Sequence, residues 1–543
     1  MRRNLLRHLK PLLASLVMHR RFALPNRTVT LLILLMSLGG CAAPMSLEYT
    51  AFPPRKFSLD EARRLFAVGY VDIDKIYVEP VSIGRLAVDG LNGLGMLDPE
   101  ATVVRDDTGL HAHYQGRDLL TVALPADDDA EGWGAATADL MATERTASPI
   151  LKALDPADLY EAVWREALGD LDHYSRYAAF DQARDNQASR DGFGGIGTKL
   201  DPDNPRRIVS VMPHSPAAVA GVIANDELIE INGQSVNLMQ PGDIAPLLRG
   251  DAGTRIVLRL KHPGGRLYSV KLARIHLAET TVTYQRLPGN IAYFKITSFN
   301  SQTAETLRAA IMQARSEIGP MLSGFILDLR DNPGGLLDQG VKVADLFLKD
   351  GRILTTRGRH PESLQQFDAT GDNMAGDTAL VVLTNGKTAS SSEIVAAALQ
   401  DLGRAVVVGS STYGKGTVQT VLGLPDRGEL TLTWARLYAP SGYALYHVGV
   451  IPNVCTSNTG NDPAKPIENA RQNIFDSYKI MQARRHADHL TQAEQDALIQ
   501  QCPQHIGEHD LSDVDLDVAA SLFTDPTLMS HLRVPMTLTT VGR

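Results

Sequence analysis

At 543 residues, 44% hydrophobic and 21% charged, the chain can bury more than one core and has an ordinary globular composition. A formal net charge of -9 leaves no basic footprint, which excludes nucleic acid as a partner.

Near the N-terminus, Arg20, Arg21 and Arg27 precede an apolar run from Val29 to Leu38, and Leu38-Gly39-Gly40-Cys41 follows. This resembles a bacterial lipoprotein signal with Cys41 as the lipid-accepting residue. The run, about ten residues, is too short to span a bilayer. Residues 1–40 are therefore expected to be a signal peptide and 41–56 a linker, placing the protein in the periplasm on a lipid anchor at the outer membrane. Met18 would open a more ordinary signal, and a plain secretory signal or short anchor is the alternative. Cys455 and Cys502 then remain. An oxidising periplasm would let them pair, although the sequence does not establish their proximity.

Residues 57–189 begin with Ser58 and Glu61, a capping-box pattern, and continue at helical spacing through Ala62, Leu65 and Phe66. Between Thr102 and Ala123 short β-like runs turn at Gly109 and Gly116, and Asp127-Asp128-Asp129 marks an exposed loop. Helical periodicity returns from Pro149 to Leu171. His111 and His113 form an H-x-H pair, read as alternating strand residues because no third metal ligand is near.

From 190 to 276 the signal is for peptide binding. Phe193, Gly194, Gly195, Ile196 and Gly197 form a glycine-dense run entering a strand, whose amide row suits a free carboxylate. A strand after the run, rather than a helix, counts against a dinucleotide loop. Ser215-Pro216-Ala217 and Ile231-Asn232-Gly233 lie downstream in apolar surroundings. Together these segments resemble a PDZ domain, which implies that the last residues of a bound peptide would lie alongside Phe193 to Gly197.

From 279 to 455 the pattern is α/β. Ile291 to Ile296 alternates like a strand, Gln302 to Ile318 reads as an amphipathic helix, and Gly324 to Arg330 is a buried strand ending in Asp331-Asn332-Pro333-Gly334-Gly335. A further buried run, Val381 to Leu383, breaks at Asn385-Gly386 before Ser390-Ser391-Ser392 and a helical pattern. Ala405 to Gly409 then leads to Tyr413-Gly414-Lys415-Gly416. A serine hydroxyl needs a base to become a nucleophile, and lysine serves only when desolvation lowers its pKa from roughly 10.4 toward neutrality.

Thr388-Ala389-Ser390-Ser391-Ser392-Glu393 and Gly414-Lys415-Gly416-Thr417-Val418-Gln419 resemble the carboxyl-terminal processing, or tail-specific, proteases. The resemblance assigns Ser390 as nucleophile, Lys415, 25 residues later, as base, and Gln419 as the residue orienting the lysine. Gly335 and Ser391 become the amide donors of the oxyanion hole; Ser391 stands where the family usually has alanine. Tyr77-Val78, Leu97-Asp98-Pro99 and Leu171-Asp172-His173-Tyr174-Ser175 are similar to the family's N-terminal helices and its L-D-P-H-S-x-Y segment, here without the proline. About 50 residues, 100–148, are extra to the pattern. Ala439 to Tyr443 and Gly449 to Asn453 match Y-x-P-S-G and G-V-x-P-D, with Asn453 in place of aspartate.

The implied fold is multidomain α/β, with a crotonase-like ββα serine-protease core, an inserted PDZ domain, a helical N-terminal region and a helical tail over 456–543. That tail reads as a solvated appendix, with Leu516 to Leu532 able to dock on the core or on a partner. The implied function is a serine endopeptidase acting on proteins or peptides with free C-termini, without metal or organic cofactor, and with an adaptor protein as a further candidate partner. Two alternatives stay open: a PDZ scaffold without catalysis, and a hydrolase of non-peptide acyl groups. His447 invites a Ser-His-Asp reading, but no G-x-S-x-G elbow surrounds Ser390.

Overall fold

The computed structural model describes residues 56–535, apart from 240, 458, 461 and 506–512. The signal segment and Cys41 lie outside the described residues.

Helix Leu59–Ile76 starts where the capping pattern predicts, with Ser58 Oγ accepting from Glu61 N at 3.4 Å. It packs with helices Ile83–Leu97, Ala130–Ala147 and Pro156–Gly169 around fully buried Phe66, Tyr70, Trp133 and Trp164. The extra segment contributes an antiparallel three-stranded sheet, Ala101–Asp106, Gly109–Tyr114 and Arg117–Val122, and the helix Ala130–Ala147. His111 and His113 stand in its middle strand, on Asp106 at 3.0 Å and Asp118 at 2.8 Å.

The module after Gly192 has a four-stranded sheet in the order Leu267–Ala273, Arg255–Lys261, Glu227–Ile231, Gln234–Ser235. Its alternating pattern buries Ile256, Leu258 and Leu260 with Leu228 and Ile231, as a sheet with one wet face requires.

The larger core is built on a six-stranded sheet in the order Val282–Leu287, Ile291–Ile296, Gly324–Asp328, Leu380–Thr384, Val406–Gly409, Val454–Cys455. All neighbours after the first pair run parallel. Parallel strands need both faces covered, which explains why Leu380–Thr384 and Val406–Gly409 are buried at every residue. Helices Thr303–Ile318, Leu337–Asp345 and Ser391–Asp401 cover one face through Leu307, Val343, Val395 and Leu399. A second sheet, carrying the hairpin Thr417–Gly423 and Glu429–Tyr438, reaches into the N-terminal helices through Leu424, Leu430 and Leu432.

The tail is not a solvated appendix throughout: its Leu516 to Leu532 segment docks on the core, one of the two placements open to it. Helices Val514–Leu522 and Pro526–Leu532 cover the other face of the parallel sheet, placing Val518, Leu522 and Met529 against Val381, Val406 and Val408. Arg330, at the end of its strand, meets Asp328 at 2.6 Å, Asp513 at 2.6 Å and Asp515 at 3.2 Å. Two tail carboxylates thus neutralise a buried arginine at the sheet.

Candidate active site

Three loops leave the C-terminal ends of three adjacent parallel strands, where α/β sheets hold their working groups. They carry Gly335, Ser390 with Ser391, and Lys415.

Ser390 is the residue before helix Ser391–Asp401, and its backbone sits at φ 57°, ψ −119°. A side chain rarely tolerates that region, so the turn is strained and its rigid surroundings must hold it. Thr388 Oγ1 donates to Leu329 O at 2.9 Å, Ala389 N to Asn332 O at 3.0 Å, and Ser392 Oγ to Asn332 O at 3.1 Å. The serine loop is thereby locked onto the Leu329–Gly335 loop. The arrangement is a sharp strand-to-helix turn with a half-buried serine at its apex, achieved without the G-x-S-x-G spacing that usually announces one.

Gly334 packs against this turn so closely that a β-carbon there would lie 2.7 Å from the Ser390 β-carbon. Only glycine allows the approach. Among the described residues neither the Gly335 N–H nor the Ser391 N–H donates to a protein acceptor, while Ser391 Oγ donates to Gly335 O at 3.0 Å. Both amides remain available beside the serine.

Glu393, one helical turn after Ser390, is fully buried. Its Oε2 accepts from Ser390 N at 2.8 Å and Lys415 N at 3.1 Å. Its Oε1 accepts from Thr412 Oγ1 at 2.5 Å and Gly414 N at 2.6 Å. One carboxylate therefore joins the serine turn to the lysine loop. Burial pushes its pKa up, and the four donors pull against that. The Ser-x-x-Glu spacing of a capping box was the signal for this contact, and the sequence reading did not use it.

Lys415 follows Gly414 and precedes Gly416, where a β-carbon would meet Tyr446 N at 1.9 Å. Its ammonium group lies 4.8 Å from the centre of the Tyr174 ring, a cation–π contact. Burial pulls the Lys415 pKa down to about 8, with the charge of Arg176 acting in the same direction and Glu393 and Asp172 opposing. Tyr174 is itself fixed: Asp172 accepts from its backbone N at 2.7 Å and from Ser175 N at 2.8 Å, and its hydroxyl is hydrogen-bonded with Tyr413. The hydrogen bonds of the described residues include none between Lys415 Nζ and Ser390 Oγ. Gln419 donates from Nε2 to Thr417 Oγ1 at 3.0 Å and Thr433 Oγ1 at 3.1 Å, bracing the strand that follows the lysine.

The glycine run of the smaller module bonds within that module. Phe193–Gly195 pairs antiparallel with Ile275–Leu277, Ile196 O accepts from Ala217 N at 3.0 Å, and Gly197 O accepts from Met212 N at 2.8 Å. His447, the alternative base, turns away to Asp496 of the tail at 2.8 Å.

Comparison with known proteins identifies the family. The profile of peptidase family S41 matches residues 290–456, and that of the PDZ domain matches residues 207–261. The carboxy-terminal-processing protease of Bartonella bacilliformis is 38% identical over 315 residues, 57% of this chain and 72% of that protein. The carboxy-terminal processing protease CtpA of Bacillus subtilis is 32% identical over 316 residues, 58% and 67% of the two chains. Among solved structures, the photosystem II D1 C-terminal processing protease aligns at 24% identity and a TM-score of 0.37, over 72% of this chain and 92% of that one. With its serine turn and lysine loop on adjacent strands and 38% identity spanning 72% of the Bartonella protein, the chain belongs to peptidase family S41, the carboxy-terminal-processing proteases, and carries a PDZ domain.

Proposed function

We propose that the protein is a serine endopeptidase with a Ser390–Lys415 dyad in a crotonase-like core, acting on envelope proteins captured by their C-termini. The observation that carries this reading is the shared carboxylate of Glu393, which holds the Ser390 turn and the Lys415 loop together while burial lowers the lysine pKa to about 8.

Neutral Lys415 takes the hydroxyl proton of Ser390, and the oxygen attacks the peptide carbonyl carbon. The Gly335 and Ser391 amides receive the negative charge that develops, each worth about 2.7 to 4 kcal/mol in comparable sites. Lys415 then gives its proton to the departing amine, and water, activated by the same lysine, releases the acyl group. Gln419 is the least direct of the three: its Nε2 is held by Thr417 and Thr433, and its Oε1 is the atom that would accept from Lys415. The PDZ module would align a substrate's last residues along Phe193 to Gly197.

The disulfide between Cys455 and Cys502 supports an oxidising compartment, and with the signal-like N-terminus it favours a periplasmic enzyme anchored through a lipid on Cys41. Ser390→Ala or Lys415→Ala is expected to abolish cleavage of an unfolded protein while leaving the circular dichroism spectrum unchanged. Cleavage at the native rate by both variants would refute the dyad and leave a peptide-binding scaffold.

A further inference from the structure

We infer that the tail segment Cys502–His505, pinned by the disulfide to Cys455, is a positioning element for the active site, with Gln504 setting the loop that holds Glu393 and Lys415. The inference rests on the Ser390–Lys415 reading and adds to it a part of the chain outside residues 290–456.

Cys455 pairs with Gly409 at the end of the strand that leads to Lys415, and its disulfide spans a sequence separation of 47. Cys502 is buried, closing a small apolar cluster with Val448, Ile451, Ile480 and Leu498. From that point the chain runs across the two catalytic loops. Gln504 Nε2 donates to Thr412 O at 2.6 Å, and His505 N donates to Ser410 Oγ at 3.1 Å, both on the loop before Lys415. Gly386 N, on the loop before Ser390, donates to His505 O at 3.0 Å. Ser457 Oγ donates to Pro503 O at 2.6 Å, a further tie on the crossing.

Thr412 is the residue through which this crossing reaches the chemistry. It is fully buried, its N donates to Val450 O at 3.0 Å, and its Oγ1 donates to Glu393 Oε1 at 2.5 Å while accepting from Val450 N at 2.8 Å. Gln504 holds the remaining polar atom of that residue, its carbonyl. A shift of Thr412 therefore moves a donor off Glu393, and Glu393 holds the backbone of both Ser390 and Lys415. From the other side, Asp496 of the same tail meets His447, whose N donates to Gly414 O at 2.9 Å.

A purely structural role would be read differently. The sheet face is covered by Val518, Leu522, Leu528 and Met529, residues beyond the crossing. Loosening the crossing leaves that cover in place and frees the loops.

The test uses the full-length protein and a peptide substrate with a free C-terminus. Dithiothreitol reduces the disulfide: the S–S bond breaks, two electrons and two protons make two thiols, and the reagent closes to its cyclic disulfide. The expected result is a fall in kcat of about tenfold or more, with KM and PDZ-peptide affinity within about twofold, and recovery on reoxidation. With the disulfide intact, Gln504→Leu should lower kcat in the same manner, and Gln504→Lys, which keeps a donor for Thr412 O, should restore most of it. If reduction also costs stability, the Gln504 pair decides. Native kcat in both the reduced protein and Gln504→Leu, or equal losses in Gln504→Leu and Gln504→Lys, would overturn the inference. A Ser390→Ala control separates the two levels: if it is inactive while the reduced protein and Gln504→Leu are both fully active, only the role of the tail fails; if it is active, the site reading fails and this inference with it.

Discussion

Ser390 and Lys415 leave neighbouring strands of one sheet, yet different parts of the molecule hold them. Every residue of the helix after Ser390 is buried in the main core, and its loop bonds to the Leu329–Gly335 loop from the adjacent strand. Lys415 sits where three regions meet: Tyr174 and Arg176 from the N-terminal region, Glu393 from the serine helix, and a loop whose Thr412 is held by the tail. The strain differs accordingly. On the serine side it is in the backbone, at a positive φ; on the lysine side it is in the charge, an ammonium group drawn out of water. A nucleophile fixed by the core and a base fixed by contacts between regions make a site in which the base is the part that distant changes can reach.

Breaking the joint between the halves should have the largest effect. In Glu393→Gln an NH₂ group replaces one oxygen and faces two donors, whichever way the amide turns. A loss of about 2–4 kcal/mol of stability is expected in denaturant titration, with kcat down about a hundredfold as the two loops part. Next comes the lysine alone. Its pKa is 10.5 unfolded and about 8 folded, so the folded state binds fewer protons between those values. Stability from this group therefore rises as pH climbs from about 8 to 10.5 and is at its lowest below that window. Lys415→Met should remove the slope and stabilise the protein at neutral pH by on the order of 3 kcal/mol, while abolishing activity. In the native enzyme kcat/KM should rise with pH through about 8, since only the neutral amine accepts a proton. Smaller still, Ser390→Gly should relieve the backbone and add about 1 kcal/mol in the same titration. A destabilised Ser390→Gly protein would show that the turn is not strained.

The serine half was the more legible in sequence. Val381 to Leu383, the break at Asn385-Gly386 and the helical pattern after Ser392 are local signals, and the fold returns them as a buried strand, a turn and a buried helix. Gly335 is named only through the family resemblance, since Pro333-Gly334-Gly335 on its own reads as a plain turn. The lysine half was legible as the buried run Ala405 to Gly409 and the Gly-Lys-Gly turn with Gln419 after it, but not in what surrounds the amine. Tyr174 lies more than two hundred residues earlier, and Gln504 acts through a side-chain bond that no periodicity announces. The tail was half legible for a related reason: Leu516 to Leu532 offered an apolar segment able to dock on the core, but nothing local shows that Asp513 and Asp515 meet Arg330. Helices that cover a parallel sheet are recognised by what they meet, and the meeting is non-local.

The finest distinction between the halves concerns Tyr174. Its ring meets the Lys415 ammonium face-on at 4.8 Å and so favours the charged form, against the desolvation that disfavours it. Tyr174→Leu keeps an apolar group over the amine and deletes the ring's attraction, worth about 0.5–1 kcal/mol or somewhat more when desolvated. The acid limb of the kcat/KM profile should then move to lower pH, leaving more of the enzyme with a neutral base at pH 7. Tyr174→Ala should do the opposite, because water entering beside the amine restores its ordinary basicity. Opposite displacements of the limb in the two variants would show the ring acting on the lysine, whereas equal displacements would mean that Tyr174 only packs. Neither substitution touches the bonds that Thr388, Ala389 and Ser392 make around the nucleophile, so the rate of serine acylation at high pH, where Lys415 is neutral in every variant, should stay close to native.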